Sequence, residues 1–506
     1  MASPFIIQLL LLASSSFLRG ARAQETENHT CIHMPIVHST NKNVFSKRAV
    51  EVQLANRSDV AYYAQLNIGS PPQPVYVQLD TGSFELWVNP TCSVLDPSDQ
   101  EFCNAVGFYD TTKSSTAVDM QINKTLNYGI GSANITYFKD SIALPGAQSA
   151  MTGVQFGVAM SSRSQFSGIL GIGYGLGLTT RYPNFVDELA AQNQTRVKAY
   201  SVALGSKDEG EGVIVFGGVD TSKFAGRLAT LPIVPAADSP DGVPRYWVSM
   251  NNMSITPPSG NRKMYPNSSM DVFLDTGSTL TLLPQVLCDA LGTDFGSAGI
   301  DQSGFYPVDC SLADLDGTVD FDFNGVEIKV PYNEFIRSSS NSFGQESCVL
   351  GITPSESFTL LGDTFMRSAY AVFDLETNAI HMQQYANCGS TPAALASAAD
   401  LTALEGKCST PRTMVPGAGT GSPSESSPTG SPAGPTGSPA SPTTGSGSGS
   451  GLPSGSDPAS TGPPASAGAS DSSSSSAGGS STSAAGLRRC SPAALAVAMV
   501  VLLTLI

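Results

Sequence analysis

The sequence predicts an all-β protein of two related lobes, built mostly from antiparallel strands, with a cleft between the lobes. Three observations carry that prediction. Short apolar runs recur between clusters of Gly, Pro, Asn and Ser from about Ala49 to Cys388, among them Tyr62–Ile68, Val75–Leu79, Gly212–Phe216, Tyr246–Ile255, Val326–Val330 and Ala369–Phe373. The tetrapeptide Asp-Thr-Gly-Ser occurs twice, at Asp80–Ser83 and Asp275–Ser278, each time after an apolar run. An apolar-apolar-Gly triplet follows each copy at a similar distance, Gly171 lying 91 positions beyond Asp80 and Gly362 lying 87 beyond Asp275. Either triplet alone would be ordinary packing; the matched spacing marks a duplicated unit. Helical periodicity is sparse, with one candidate at Asn184–Gln192.

The chain divides by composition. Residues 1–23 read as a secretory signal: an apolar stretch, Phe5–Leu12, precedes the small-x-small site Ala21-Arg22-Ala23, although no basic residue stands before the stretch. Residues 24–48 read as a pro-segment ending in the dibasic pair Lys47-Arg48. The lobes are expected at 49–235 and 236–408. Residues 409–485 are almost wholly Ser, Gly, Pro, Thr and Ala beyond Val415, a composition that cannot bury enough apolar surface to offset its ordering entropy. A disordered, O-glycosylated stalk is expected there. Residues 486–506 carry Arg488-Arg489 and then a charge-free apolar run, Ala493–Ile506. That run is short for a membrane span and has no basic flank after it, so the layout predicts a GPI-attachment signal that is removed.

At 506 residues with net charge −16, the chain is acidic enough to argue against a nucleic-acid partner. Seven Asn-x-Ser/Thr sequons, at Asn28, Asn56, Asn123, Asn134, Asn193, Asn252 and Asn267, fit passage through the secretory pathway as glycosylation sites. Nine cysteines in an oxidising compartment point to disulfides. Cys92 and Cys103 bracket a short loop, Cys310 and Cys348 a longer one, and Cys388 and Cys408 stand near the end of the folded part. Cys31 falls in the pro-segment, Cys490 in the terminal signal, and Cys288 has no evident partner. Spacing alone leaves the connectivity open.

The repeated tetrapeptide is where the chemistry lies. A strand that delivers a carboxylate onto a tight turn supplies half of a two-carboxylate site, and two halves meeting at a lobe interface would complete it. Asp80 and Asp275 are the expected catalytic residues. One carboxylate must be ionised to take a proton from water while the other is protonated to polarise a scissile carbonyl. Two such groups about 3 Å apart cannot both ionise cheaply, so their apparent pKa values separate. Thr81 and Thr276 can lock the turns through their hydroxyls, and Gly82 and Gly277 leave room for a close approach, with Ser83 and Ser278 completing each turn. His29, His33, His38 and His381 show no metal spacing, and no metal or cofactor is expected.

Asp80-Thr-Gly-Ser with Trp87 seven residues after the aspartate resembles the first active-site strand of pepsin-like aspartic proteases. Tyr62–Gln73 is similar to their N-terminal strand and turn. Leu126–Ser132 resembles their flap hairpin, which implies that Tyr128 and Gly129 cover the cleft. Gly168–Gly173 and Leu360–Asp363 resemble the two loops behind the aspartates, and Val215–Asp220 with Tyr246-Trp247 resembles the interlobe region. The Cys310–Cys348 spacing also fits that family. The resemblance implies a bilobal pepsin-like fold, an endopeptidase acting on protein or peptide substrates, and a monomer. Stalk, GPI signal, dibasic site and acidic Cys92–Cys103 loop resemble the fungal yapsin-like branch, which implies a place on the outer face of the plasma membrane or in the cell wall. Phe84, Glu85 and Ile130 depart from the usual family residues. Asp96, Asp99 and Glu101 lie in a loop without Lys or Arg, so a preference for basic residues around the scissile bond is expected if that loop rims the cleft. A catalytically silent binding or wall-adhesion protein is the alternative, and neither aspartate nor the tyrosine is missing to support it.

Overall fold

Each apolar run singled out in the sequence forms a strand: Tyr62–Ile68, Gln73–Asp80, Glu211–Phe216, Trp247–Thr256, Val326–Pro331 and Ala369–Asp374. These belong to a computed structural model that describes residues 31–38, 61–95, 97–165, 167–209, 211–340 and 346–409. The signal segment, the Lys47-Arg48 pair, Asn28, Asn56, Asp96, the stalk, and the terminal signal with Cys490 lie outside the described residues. The helix Phe185–Ala191 begins where expected. The Asn184 side chain accepts from the Asp187 N–H and the Asp187 carboxylate accepts from the Asn184 N–H, which satisfies two end donors reciprocally. The helices Pro97–Val106 and Gln285–Asp294, and the single turns Tyr332–Phe335 and Asp363–Met366, were not expected.

Thirteen strands form one sheet and eight form a second. The larger sheet draws on both halves of the sequence. Ala369–Asp374 and Ala379–Gln384, from the second half, extend it by pairing Ala369–Asp374 with Ala199–Ala203 of the first. A single apolar cluster runs through both halves, from Leu66, Val77 and Leu79 to Val272, Leu274 and Leu361.

The duplicated sequence pattern has a common structural cause. Gln73–Asp80 runs parallel to Gly168–Gly171 with Asp80 opposite Gly171, and Met270–Leu274 runs parallel to Leu360–Leu361 with Leu274 opposite Leu361. Each apolar pair therefore fills the core beside an Asp-bearing strand. Each following glycine sits against the backbone just past the turn. A Cβ on Gly171 would lie 2.4 Å from the Glu85 nitrogen, and one on Gly362 would lie 2.4 Å from the Ser278 oxygen. No side chain fits at either position, which is why the triplets end in glycine.

Ile32–His38, inside the expected pro-segment, is a strand of the larger sheet. It lies between Glu211–Phe216 and Tyr62–Ile68 and buries Met34 and Ile36 completely. Its His33 ring lies 3.6 Å from the Asp220 carboxylate, and Ser390 Oγ bonds both.

Disulfides join Cys92 to Cys103, Cys310 to Cys348 and Cys388 to Cys408. Cys288 is unpaired and buried in the helix Gln285–Asp294, where it acts as a small core residue. Among the described residues one close group could offer metal ligands, Cys310, Glu346 and Cys348, and its two sulfurs are joined to each other.

Candidate active site

The two Asp-Thr-Gly-Ser turns meet. Each threonine bonds the opposite turn twice: the Thr81 N–H donates to Thr276 Oγ1 (3.2 Å) and the Thr276 N–H to Thr81 Oγ1 (3.0 Å). Thr81 Oγ1 in turn donates to the Leu274 carbonyl (2.8 Å), and Thr276 Oγ1 to the Leu79 carbonyl (3.0 Å). All four bonds are buried, so each replaces hydration that the groups have lost.

That lock brings Asp80 and Asp275 side by side within hydrogen-bonding reach of each other. The glycines make the approach possible. A Cβ on Gly82 would fall 2.5 Å from Asp275 Oδ1, and one on Gly277 would fall 2.4 Å from Asp80 Oδ1. Asp80 Oδ1 accepts from the N–H groups of Gly82 (2.8 Å) and Ser83 (3.1 Å), and Asp275 Oδ1 from that of Gly277 (2.9 Å). Ser278 differs from Ser83, since its hydroxyl donates to the Leu280 carbonyl.

Burial raises the pKa of Asp80, against the turn's hydrogen bonds from Ser83 and Gly82. Burial raises Asp275 further above the ordinary value, and the negative charge of Asp80 adds to that rise. Two such groups resist carrying two charges at once, so the pair holds on to a proton above the ordinary aspartate range.

Over the pair stands a hairpin of Val118–Asn127 and Ser132–Ala143, closed by a Tyr128 N–H bond to the Gly131 carbonyl (3.1 Å). Gly131 has φ +81°, which a side chain rarely adopts. Gly129 is at the exposed tip. Trp87 is fully buried, and its indole N–H donates to the Tyr128 hydroxyl at 2.7 Å. Burial and then the Asp80 charge push Tyr128 far above its ordinary pKa, so it keeps its proton. With the oxygen already accepting, that proton is available to a group in the cleft.

Sequence reasoning missed the roles of two residues. Glu85 is buried, pairs with Lys124 of the hairpin, and accepts from the hydroxyls of Tyr137 and Tyr182. It ties the segment after the first turn to the hairpin. Arg245 pairs with Asp241 (2.8 Å), donates to the Gly82 carbonyl, and lies over the rings of Phe84 and Phe273. Phe84 and Glu85 had stood out only as departures from a motif.

Other expected site residues lie elsewhere. Asn123 and Asn134 line a groove of about 320 Å³ with Lys124, Thr125, Met160 and Ser161, which shares no residue with the carboxylate pair. Asn193 and Asn267 are exposed, whereas Asn252 is half-buried and donates to Asp322. Asp99 is on the helix Pro97–Val106 and Glu101 is exposed there; the helix packs Phe102, Ala105 and Val106 against Tyr63 and Tyr76.

Comparison with known proteins gives a consistent picture. Residues 61–385 match the family model described as eukaryotic aspartyl protease. The chain is 35% identical over 357 residues to candidapepsin-3 of Candida albicans, covering 68% of this chain and 84% of that one. It is 34% identical over 342 residues to secreted aspartic protease 8 of Candida albicans, covering 66% and 78%. It is 33% identical over 351 residues to the probable aspartic-type endopeptidase opsB of Aspergillus oryzae, covering 66% and 70%.

The threonine lock can be tested by Thr276→Val, which keeps the volume and removes the hydroxyl. It leaves the Thr81 N–H and the Leu79 carbonyl buried and unpaired, at a cost of about 2–4 kcal/mol. Urea denaturation should show that loss; an unchanged midpoint and slope would contradict the lock.

Proposed function

Since the chain belongs to the eukaryotic aspartyl protease family and is an aspartic endopeptidase, we propose that Asp80 and Asp275 are its catalytic pair. The observation that carries this reading is the meeting of the two Asp-Thr-Gly-Ser turns, locked through Thr81 and Thr276, which sets the Asp80 and Asp275 carboxyls side by side. A water held between them gives a proton to ionised Asp80 as its oxygen attacks the scissile carbonyl carbon. Protonated Asp275 donates to the carbonyl oxygen, forming a neutral diol. Asp80 then passes its proton to the leaving nitrogen while a diol hydroxyl returns one to Asp275. The C–N bond breaks to give an acid and an amine, and the pair is restored. Tyr128 closes the cleft from above with its hydroxyl proton toward substrate.

Asp80→Asn or Asp275→Asn should lower kcat/KM by roughly 10²–10⁴-fold or more in a protein that still folds. Substantial activity in either variant would sink the assignment. The pH dependence follows with a fixed sign. Activity is lost on the alkaline side as the shared proton leaves and on the acid side as the second carboxyl takes one. Burial raises both groups, so the alkaline limb should lie above the ordinary aspartate value, and a flat profile from about pH 3 to 8 would contradict it.

The rest of the chain supports a secreted, surface-tethered protease of the yapsin-like, GPI-anchored branch, acting as a monomer because one chain supplies the whole site. The sequons, the stalk and the terminal layout support this, as do relatives named as secreted aspartic proteases. Among the described residues no helix is long and apolar enough to cross a membrane. Cleavage after Lys47-Arg48 would cut the strand Ile32–His38 from the body of the chain, and its release would then require the sheet to give up a buried strand. Phosphatidylinositol-specific phospholipase should move the protein out of the membrane fraction; retention without wall cross-linking would refute the anchor.

A preference for basic residues rests on the acidic Cys92–Cys103 loop, whose field is long-range and screened by salt. Neutralising Asp96, Asp99 and Glu101 together should weaken kcat/KM for Lys/Arg peptides more than for neutral ones, most at low ionic strength. Equal effects on both peptide classes would remove the loop from substrate selection.

A further inference from the structure

The two catalytic turns are braced from opposite sides by different chemistry. The carbonyl of Gly277 accepts from a neutral amide, Gln78 Nε2 at 3.1 Å. The carbonyl of Gly82 accepts instead from the guanidinium of Arg245. Both braces cross between the halves of the sequence, but only the one at the Asp80 turn carries charge.

Arg245 is fixed where that charge reaches the pair. Its Cζ lies 5.3 Å from the centre of the Phe84 ring and 5.2 Å from that of Phe273, a stacked arrangement that favours a guanidinium over an ammonium. Its Nε bonds Asp241 and its side chain is three-quarters buried. Gly82, whose carbonyl it holds, donates its N–H to Asp80 and presents its Cα face to the Asp275 carboxylate. The guanidinium is thus one residue away from both carboxyls, in a setting with little water to screen it.

We propose that Arg245 is a positioning residue that sets the pH range of the reaction, its fixed charge moving the window in which the pair holds one proton toward acid. A cation favours the ionised form of each carboxyl, so it lowers both limbs together. Its effect on Asp80 and on Asp275 is of that sign, against the rise from burial. The surrounding groups leave Arg245 as the cation in this position. Asp241 partly offsets it; Glu85 is engaged with Lys124, Tyr137 and Tyr182; Asp363 is buried at the start of the short helix Asp363–Met366, just past Leu360–Leu361; Tyr128 and Tyr200 stay protonated. The inference rests on the pair proposed above as catalytic, and the Asn variants of that pair test it separately.

The test is the pH profile of kcat/KM for the full-length protein and three variants. Arg245→Gln should move both limbs to higher pH by about half a unit or more, about a threefold change in proton affinity. Arg245→Lys keeps the charge without the stacked fork, so kcat should fall while the limbs stay near their original positions. Asp241→Asn removes the offsetting charge and should move both limbs to lower pH. If Arg245→Gln lowers kcat or stability with both limbs in place, Arg245 is a brace only and the proposal fails. Should Arg245→Gln not fold, Asp241→Asn decides: unmoved limbs, or limbs moved to higher pH, overturn the proposal.

Discussion

The site depends on four buried hydrogen bonds between Thr81, Thr276 and the strands that carry their neighbours. Two acidic groups would not choose to adjoin each other out of water, because the first charge penalises the second. The threonine bonds make separation of the turns more costly still, since it would leave buried N–H and carbonyl groups unpaired. The glycines beside them lack the Cβ atoms that would collide with the facing carboxyls. The shared proton then follows from the packing: held close and dry, the pair resists carrying two charges, so one carboxyl keeps a proton at a pH where an ordinary aspartate would have lost it.

Everything around the turns serves to keep that arrangement stiff while leaving one side open. Parallel strands ending in Gly171 and Leu361 back the aspartate strands, and the larger sheet takes strands from both halves, so the halves share a foundation below the site. The open side is covered by a hairpin tied down at two points, through Trp87 to Tyr128 and through Glu85 to Lys124. Both ties arise from Leu86–Val88 or the residue just before it, directly after the first turn. A change at the turn is therefore felt at the cover as well.

Much of this was legible because it is local and repeated. The Asp-Thr-Gly-Ser turns, the apolar strands and the helix candidate at Asn184–Gln192 announce themselves within a few residues. The roles of Trp87 and Tyr128 were legible only through family resemblance, since a buried tryptophan and a hairpin tyrosine are ordinary by themselves. Arg245 was out of reach: its partners Gly82 and Phe84 are more than 150 positions away in sequence. Glu85 read as a misfit because its three partners come from the hairpin and from Tyr182. The strand Ile32–His38 was hidden by Pro35, which forfeits a ladder donor, and by the expectation that its segment would be discarded. The helix Pro97–Val106 was masked by its acidic, Cys-bounded sequence, which reads as a loop, although Phe102, Ala105 and Val106 give it an apolar face.

Neutron diffraction from crystals grown in deuterated buffer at the pH of maximal activity would locate the proton on which the account turns. One deuteron on the pair, bound to Asp275 with Asp80 bare, is the predicted result. Two deuterons, or none, at that pH would contradict a mechanism that needs one carboxyl as acid and the other as base.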